Sequence, residues 1–245
     1  MSPSPRVAAA SRSAANSFSR NRLLAALPRA ERARLAAAGK PVELVFAEVL
    51  YERGARVRHV YFPTDGFISD ITAIGDHATL EVGLTGREGM CGMAVALGAD
   101  ASALRSLVQG AGTALRIGAV AFRREMERSP ALRRTLGRYA FVQMAQLAQN
   151  ALCISAHRVE QRLARWLLMS HDRAQTDTFH VTHAFLANML GVRRVGVTQA
   201  AGSLQRKQLI RYARGRVEVV NRRGLEAAAC HCYRIDRETW QRLLG

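Results

Sequence analysis

The sequence predicts an α+β chain with a small antiparallel barrel or sandwich, one long helix and a basic helix-turn-helix ending in a two-strand hairpin. Three observations carry this. Residues 42–122 are short β-rich runs punctuated by glycine, residues 130–155 switch to helical spacing without a breaker, and residues 182–220 read helix, glycine turn, helix, hairpin. Glycine-bounded runs at this spacing suit antiparallel strands, and apolar residues at intervals of three and four suit helices.

The β-rich part contains "VELVF", "HVYFP", "FISDITAI", "ATLEVGLT", "SLVQG" and "ALRIG", expected as separate short strands. Before it, "NRLLAALPRAERARLAAAGK" predicts one or two short helices, with Pro28 at the start of the second and Gly39 at its end. The first 20 residues are Ser, Ala, Arg and Pro without a period and are expected to be a disordered basic tail. His59 and His77 are isolated in sequence, with no His-x-His pair that a metal-binding barrel enzyme would use. No nucleophile–base pair, carboxylate dyad or metal cage stands out in 42–122, so catalysis is not expected.

Ser129 and Pro130 suit a helix start. Leu132, Leu136, Tyr139, Val142, Gln143 and Leu147 follow at helical spacing. The run of about 25 residues is long for a globular helix, and its second half, 141–156, is apolar with few charges. Such a helix wants a partner along its length, and a second copy of itself is the economical one. "VEQRLARWLLMSHDR" then gives an amphipathic helix with Leu163, Trp166 and Leu167 inward and Arg158, Arg162 and Arg165 solvated.

The chain has 245 residues, 49% of them hydrophobic, and a net charge of +17. Lys40 and Lys207 are its only lysines, so the charge is carried by arginine. A chain this basic points to nucleic acid before it points to a membrane surface. No apolar run approaches the roughly 20 residues of a membrane span, so no membrane partner is expected. Cys91, Cys153, Cys230 and Cys232 have no disulfide-framework spacing and are expected reduced, in a cytoplasmic protein. Cys230-His231-Cys232 looks like a metal pattern. On a helix, however, residues i and i+2 point apart, so these residues are read as structural, and no metal or cofactor is expected.

In "THAFLANMLGVRRVGVTQAAGSLQRKQLIRYARGRVEVV", Thr182 caps the first helix and Gly191 makes the turn. The second helix, expected from Arg193 to Gln208, puts Val197, Ala200, Ala201 and Leu204 on one stripe. Its opposite face carries Val195, Thr198, Gln199, Gly202, Ser203 and Arg206, with Arg193 and Arg194 in the first turn. Arginine pairs bidentately with guanine and glutamine with adenine. Arg206, Lys207, Arg211, Arg214 and Arg216 are placed for phosphates.

This order of parts resembles the Crp/Fnr superfamily of bacterial transcription regulators over about residues 22–240. "LANMLGVRRVGVTQAAGSLQRKQLI" is similar to the family's helix-turn-helix signature. The resemblance implies a disordered tail at 1–20 and a cyclic-nucleotide-binding-like β-roll at 21–128. It implies a dimerisation helix at 129–157 and a winged helix-turn-helix domain at 158–245. The partners it implies are double-stranded DNA at a pseudo-palindromic operator and a second copy of the chain, with room for RNA polymerase and an unidentified small-molecule effector. Thr182 would contact phosphate, and Arg194 and Gln199 would take base-contacting positions. Val195 stands where the family often has Glu, and Gln199 where it often has Arg, so the operator should differ from the family's usual half-site.

In the family's cyclic-nucleotide cassette a Glu accepts from the ribose hydroxyl and an Arg pairs with the phosphate. The matching stretch here, "GMAVALGADASALRSLVQGAG", keeps Gly92 and Arg105 but has Met93 in place of the Glu. Gly92, Met93, Arg105 and Gln143 are the candidate effector residues. Arg105 either recognises an anion or makes a structural ion pair. With Met93 in the cassette, the usual response to cyclic AMP is disfavoured. An N-terminal iron–sulfur cluster is not expected, since no cysteine precedes Cys91. His77 and Cys91 are haem-ligand candidates by composition only. The alternatives are a cyclic-nucleotide-responsive regulator with an altered cassette, and a β-barrel sensor or effector that does not bind DNA.

Overall fold

The computed structural model describes residues 20–74 and 78–245. The expected tail, and His77, fall outside them, apart from Arg20. The chain divides into two compact units. Of the described residues, one comprises 20–68 and 85–140; the other comprises 69–74, 78–84 and 141–243. Among the described residues no helix is long and apolar enough to cross a membrane.

The first unit opens with α1 (Arg22–Ala25) and α2 (Arg29–Ala38). Asn21 is fully buried; its Oδ1 accepts from the Leu24 amide at 3.2 Å, and its Nδ2 donates to the carbonyls of Pro63 (3.0 Å) and Gly89 (2.8 Å). One side chain thus caps a helix and anchors it to two loops, satisfying groups that would be costly to bury unpaired. Pro28 and Gly39 bound α2 as the sequence suggests.

The strands are β1 (Gly39–Leu44), β2 (Val49–Tyr51), β3 (His59–Ile74), β4 (Ala78–Thr85) and β5 (Arg105–Gly118). They form a five-stranded sheet in the order β1-β5-β3-β4, with β2 also on β5. β1 runs antiparallel to β5 with Gly39 opposite Ile117 and Leu44 opposite Gly112. "HVYFP" and "FISDITAI" are one strand, and "SLVQG" and "ALRIG" are another, not four short ones. The glycines between them are not turns. Gly66 has φ +71°, and a Cβ there would lie 2.3 Å from the Gly110 carbonyl oxygen; a Cβ at Gly112 would lie 2.4 Å from the Asp65 backbone. Glycine here permits two backbones to cross closely and the strands to bend while continuing.

The core of this unit gathers Phe62, Ile68, Met90, Val108, Leu115, Ile117 and Phe122, with the Phe62 and Phe122 rings 5.9 Å apart. The short helix α3 (Met93–Ala96) and α4 (Ala119–Arg128) flank it. α5 (Pro130–Ala156) follows, and the Ser129 hydroxyl accepts from the Leu132 amide at 2.9 Å. The start and length of this helix match the sequence reading. Its first turns seat Leu132, Leu136 and Tyr139 in the same core.

The second unit holds the rest of α5, then α6 (Val159–Ala174), β6 (Thr178–His180), α7 (His183–Leu190) and α8 (Arg194–Arg206). β7 (Ile210–Ala213), β8 (Arg216–Val219), α9 (Arg222–Ala228) and α10 (Cys232–Leu244) complete it. Leu163, Trp166 and Leu167 of α6 are buried as expected. Arg162 and Arg165, expected in solvent, are buried at 8% exposure each, and only Arg158 is exposed. The buried stripe of α6 is wider than its apolar residues alone suggest, because Asp236 of α10 lies 2.5 Å from Arg165 and supplies the opposite charge.

A second feature of this unit was not legible in sequence. Glu81 accepts from the Ser69 hydroxyl at 2.6 Å and from the Trp166 indole at 2.9 Å. Loss of water around its carboxylate, only partly offset by these bonds, raises its pKa from 4.5 to about 7. The folded chain therefore holds this proton over a range in which the unfolded chain has released it. Stability from this group is present below about pH 4.5 and declines as pH rises to about 7. Urea unfolding across that range should show the decline, by at most about 3 kcal/mol, and Glu81→Gln should remove it. An unchanged pH profile in Glu81→Gln would contradict the assignment.

Candidate nucleic-acid interface

α7 and α8 are joined at Gly191, whose φ of 61° and ψ of 43° are left-handed, where glycine carries no Cβ penalty. Thr182 caps α7, its hydroxyl oxygen accepting from the Phe185 amide at 3.1 Å. That leaves the hydroxyl proton of this exposed side chain available to an outside acceptor. α8 packs on α6 and α7 through Val197, Ala200, Ala201 and Leu204, all buried. Three of these side chains are small or β-branched, so α8 sits close and its register is fixed. The helix is shorter than expected, ending at Arg206; Gln208 follows with φ +57°, which stops the helix and turns the chain into β7.

The opposite face of α8 is open. Arg193, Arg194, Val195, Thr198, Gln199 and Arg206 are exposed, Val195 to 58%. Gly202 and Ser203, expected on that face, are half-buried at its edge. Arg193 is the N-cap and no side chain caps the helix there, so the positive end of α8 faces outward. The Thr198 hydroxyl is already engaged, 3.1 Å from both the Arg194 carbonyl and His183 Nδ1. One arrangement satisfies both contacts: Thr198 donates to the carbonyl and accepts from His183 Nδ1–H.

His183 is a residue that sequence reasoning missed. It stacks on Tyr212 with ring centroids 4.4 Å apart, and so joins α7, the first turns of α8 and the hairpin. Burial, and then the Arg194 charge, lower its pKa, which keeps the ring neutral and able to hold this arrangement. The signal in the sequence was slight: one His directly after a capping Thr.

The hairpin pairs β7 and β8 antiparallel, with Ala213 opposite Arg216. Arg214 and Gly215 between them have φ of 48° and 75°, the two-residue turn that matches strand twist. β6 adds to the far side of β8, giving the order β6-β8-β7. The Tyr212 hydroxyl donates to the Val181 carbonyl at 2.5 Å and fixes the hairpin at its base. Arg214 and Arg216 are exposed at its tip. Arg211 shares its charge with Glu218 at 2.6 Å, and Lys207 with Glu160 at 2.5 Å. Arg193, Arg194, Arg206, Arg214 and Arg216 have no carboxylate within ion-pair distance among the described residues. Arg206 still feels Glu160, which pairs with Lys207, so four exposed guanidiniums, Arg193, Arg194, Arg214 and Arg216, stand clear of acids at the start of α8 and on the hairpin beside it.

Residues 161–228 match the family model of the Crp-like helix-turn-helix domain. The fold of the chain is also shared with solved structures, several of them transcriptional regulators of the CRP/FNR family. FixK2 from Bradyrhizobium japonicum is 13% identical, with a TM-score of 0.66 over 78% of this chain and 98% of that one. TTHB099, a CRP-family transcriptional regulator from Thermus thermophilus, is 20% identical, with a TM-score of 0.64 over 77% of this chain and 96% of that one. CLP, the c-di-GMP-responsive global regulator of Xanthomonas campestris, is 16% identical, with a TM-score of 0.63 over 78% and 99%. Among curated proteins, none matches the sequence.

The effector candidates fall on different elements. Gly92 is left-handed at φ 96° and precedes α3, and Met93 packs against the core of the first unit. Arg105 pairs with Glu52 at 3.3 Å, with both side chains about half-exposed. Gln143 is half-buried on α5 in the second unit. Cys91 is buried, its backbone paired with Tyr61.

Thr182→Ala should lower unfolding stability by about 1 kcal/mol, and Thr182→Ser should restore most of it. Urea midpoints of the three proteins measure this; equal midpoints would contradict the cap.

Proposed function

We propose that the chain is a homodimeric, sequence-specific DNA-binding transcription regulator of the Crp/Fnr type rather than an enzyme. The observation that carries this is the outward face of α8, packed from behind and fringed by exposed arginines that form no ion pair among the described residues. Arg194 and Gln199 reach base edges, and Val195 makes an apolar contact of the kind a thymine methyl accepts. Arg206, Arg214 and Arg216 hold phosphates, with Thr182 donating its hydroxyl proton to another. Arg193 adds charge at the helix entry, Thr198 positions the first turn, and Arg211 contributes less because Glu218 shares its charge.

Support for the dimer comes from α5. Phe141, Met144, Leu147 and Leu152 are 46–66% exposed along its second half. Four large apolar side chains spaced three to five residues apart make a stripe that a second copy of the helix would cover. Two recognition helices would then meet two half-sites of a pseudo-palindrome, about one helical turn of DNA apart.

The first unit is read as a sensor that does not take a cyclic nucleotide in the usual way. Met93 offers no acceptor for a ribose hydroxyl, and Arg105 is already paired with Glu52. Within that unit, Gly92, Met93 and Arg105 remain the candidate contacts for any other effector. RNA polymerase contact and a cytoplasmic location belong to the same reading.

Binding titrations of Arg194→Ala against a selected operator and random DNA test the reading face. Affinity for the operator should fall about 10–100-fold, with a much smaller loss on random DNA. An equal loss on both would contradict the base-reading role. Met144→Glu should turn a dimer into a monomer in light scattering at micromolar concentration; a wild-type monomer would contradict the dimer.

A further inference from the structure

The end of α5 and the joint between α9 and α10 bring four ligand-type side chains together. They are Cys153, His157, Cys230 and Cys232, whose ligand atoms all lie within 4.8 Å of one another. We propose that these four residues form a structural zinc site of the Cys3His type.

The local geometry explains how the ligands meet. Cys153 and His157 are one helical turn apart, with the His157 amide donating to the Cys153 carbonyl at 3.2 Å, so both side chains lie on one face. Cys230 is not on a helix. Ala229 before it is extended (φ −72°, ψ 156°), and α10 begins only at Cys232. The expectation that Cys230 and Cys232 point apart assumed one continuous helix; the extended joint lets both thiols face the same point.

The distances suit a single tetrahedral ion. Zinc–sulfur bonds of about 2.3 Å and zinc–nitrogen bonds of about 2.0 Å put ligand atoms roughly 3.5–3.8 Å apart along tetrahedral edges. Cys153 Sγ lies 3.5 Å from Cys230 Sγ, and Cys232 Sγ lies 3.5 Å from His157 Nδ1. A four-iron cluster would hold its ligands farther apart than this, and a disulfide much closer. All four positions are filled by protein, which marks a structural site rather than a catalytic one.

The surroundings point the same way. The Gln149 side-chain amide donates to Cys232 Sγ at 3.0 Å, the kind of outer bond that orients a thiolate ligand. Three thiolates on one Zn²⁺ carry one net negative charge. Two buried guanidiniums are nearby: Arg165 is balanced by Asp236, but Arg162 bonds only the Leu190 carbonyl among the described residues. A negative zinc centre supplies the charge that Arg162 otherwise lacks. Three buried thiols alone would pack as small apolar groups; that leaves the imidazole and the uncompensated guanidinium unexplained. Loading would displace the three thiol protons and tie the long helix to the last helix of the winged domain.

The test uses the full chain without a histidine tag, purified under reducing conditions from zinc-supplemented cells. Elemental analysis should give about one zinc per chain, and a mercurial thiol reagent should release it. Replacing zinc with Co²⁺ should give the intense visible bands of a tetrahedral, thiolate-bound ion, a readout that needs no variant. Cys153→Ser and Cys232→Ser should lose the metal, while Cys91→Ser should keep it. Chelation should lower the thermal midpoint by about 5–10 °C. The proposal is overturned by any of three results: no stoichiometric metal and no tetrahedral cobalt spectrum, iron with sulfide in place of zinc, or a native chain carrying a Cys153–Cys230 disulfide. These readouts involve no DNA, so their failure is separate from any failure of the DNA-binding reading.

Discussion

The helix-turn-helix end of this protein depends on the packing of one helix face. Val197, Ala200, Ala201 and Leu204 of α8 are buried against α6 and α7. Their burial fixes the rotation of α8, and rotation decides which residues face solvent. With this stripe inside, Arg194, Val195, Thr198 and Gln199 are outside together. Because an α-helix turns about 100° per residue, a slip of one position would replace that set. The small side chains also bring α8 near its support, so the outward face belongs to a stiff element rather than to a loop.

Charge is organised around that face. Arginines elsewhere are often paired, as Arg34 with Glu125, Arg165 with Asp236 and Arg222 with Asp172. Arg193 and Arg194 at the start of α8 and Arg214 and Arg216 at the hairpin tip form no ion pair among the described residues, while Arg206 lies near Glu160. Like charges held together are unfavourable in the free protein and become favourable when an anion spans them. The arrangement is therefore better explained by what it meets than by the stability it gives. His183 serves the same end from inside, since its neutral ring links α7, α8 and the hairpin, and with them Arg194 to Arg214.

Much of this was legible in the sequence, and the reasons are local. Helix starts were marked by Ser129 and Thr182, and the turn by Gly191, because capping and left-handed φ demand few residue types. The buried face of α8 followed from its period. The errors came where tertiary partners override local pattern. Gly66 and Gly110 read as strand breaks but allow a close crossing of long strands. Arg162 and Arg165 read as solvated, yet Asp236, far along the chain, lets one of them stay buried. Cys230 and Cys232 read as divergent because the extended residue at Ala229 had no sequence signal. Glu81 and His183 were missed because their roles arise from neighbours distant in sequence.

The proposed DNA contact depends most on the unpaired charge at α8 and the hairpin, and salt dependence measures that directly. For wild-type protein on one DNA duplex, the logarithm of the binding constant should fall linearly with the logarithm of salt, by about 0.9 for each phosphate contacted. Removing Arg214 and Arg216 together should flatten that slope by about 3 to 4 units for a dimer. A slope that the double substitution leaves unchanged, or binding that is indifferent to salt in the wild type, would contradict the account.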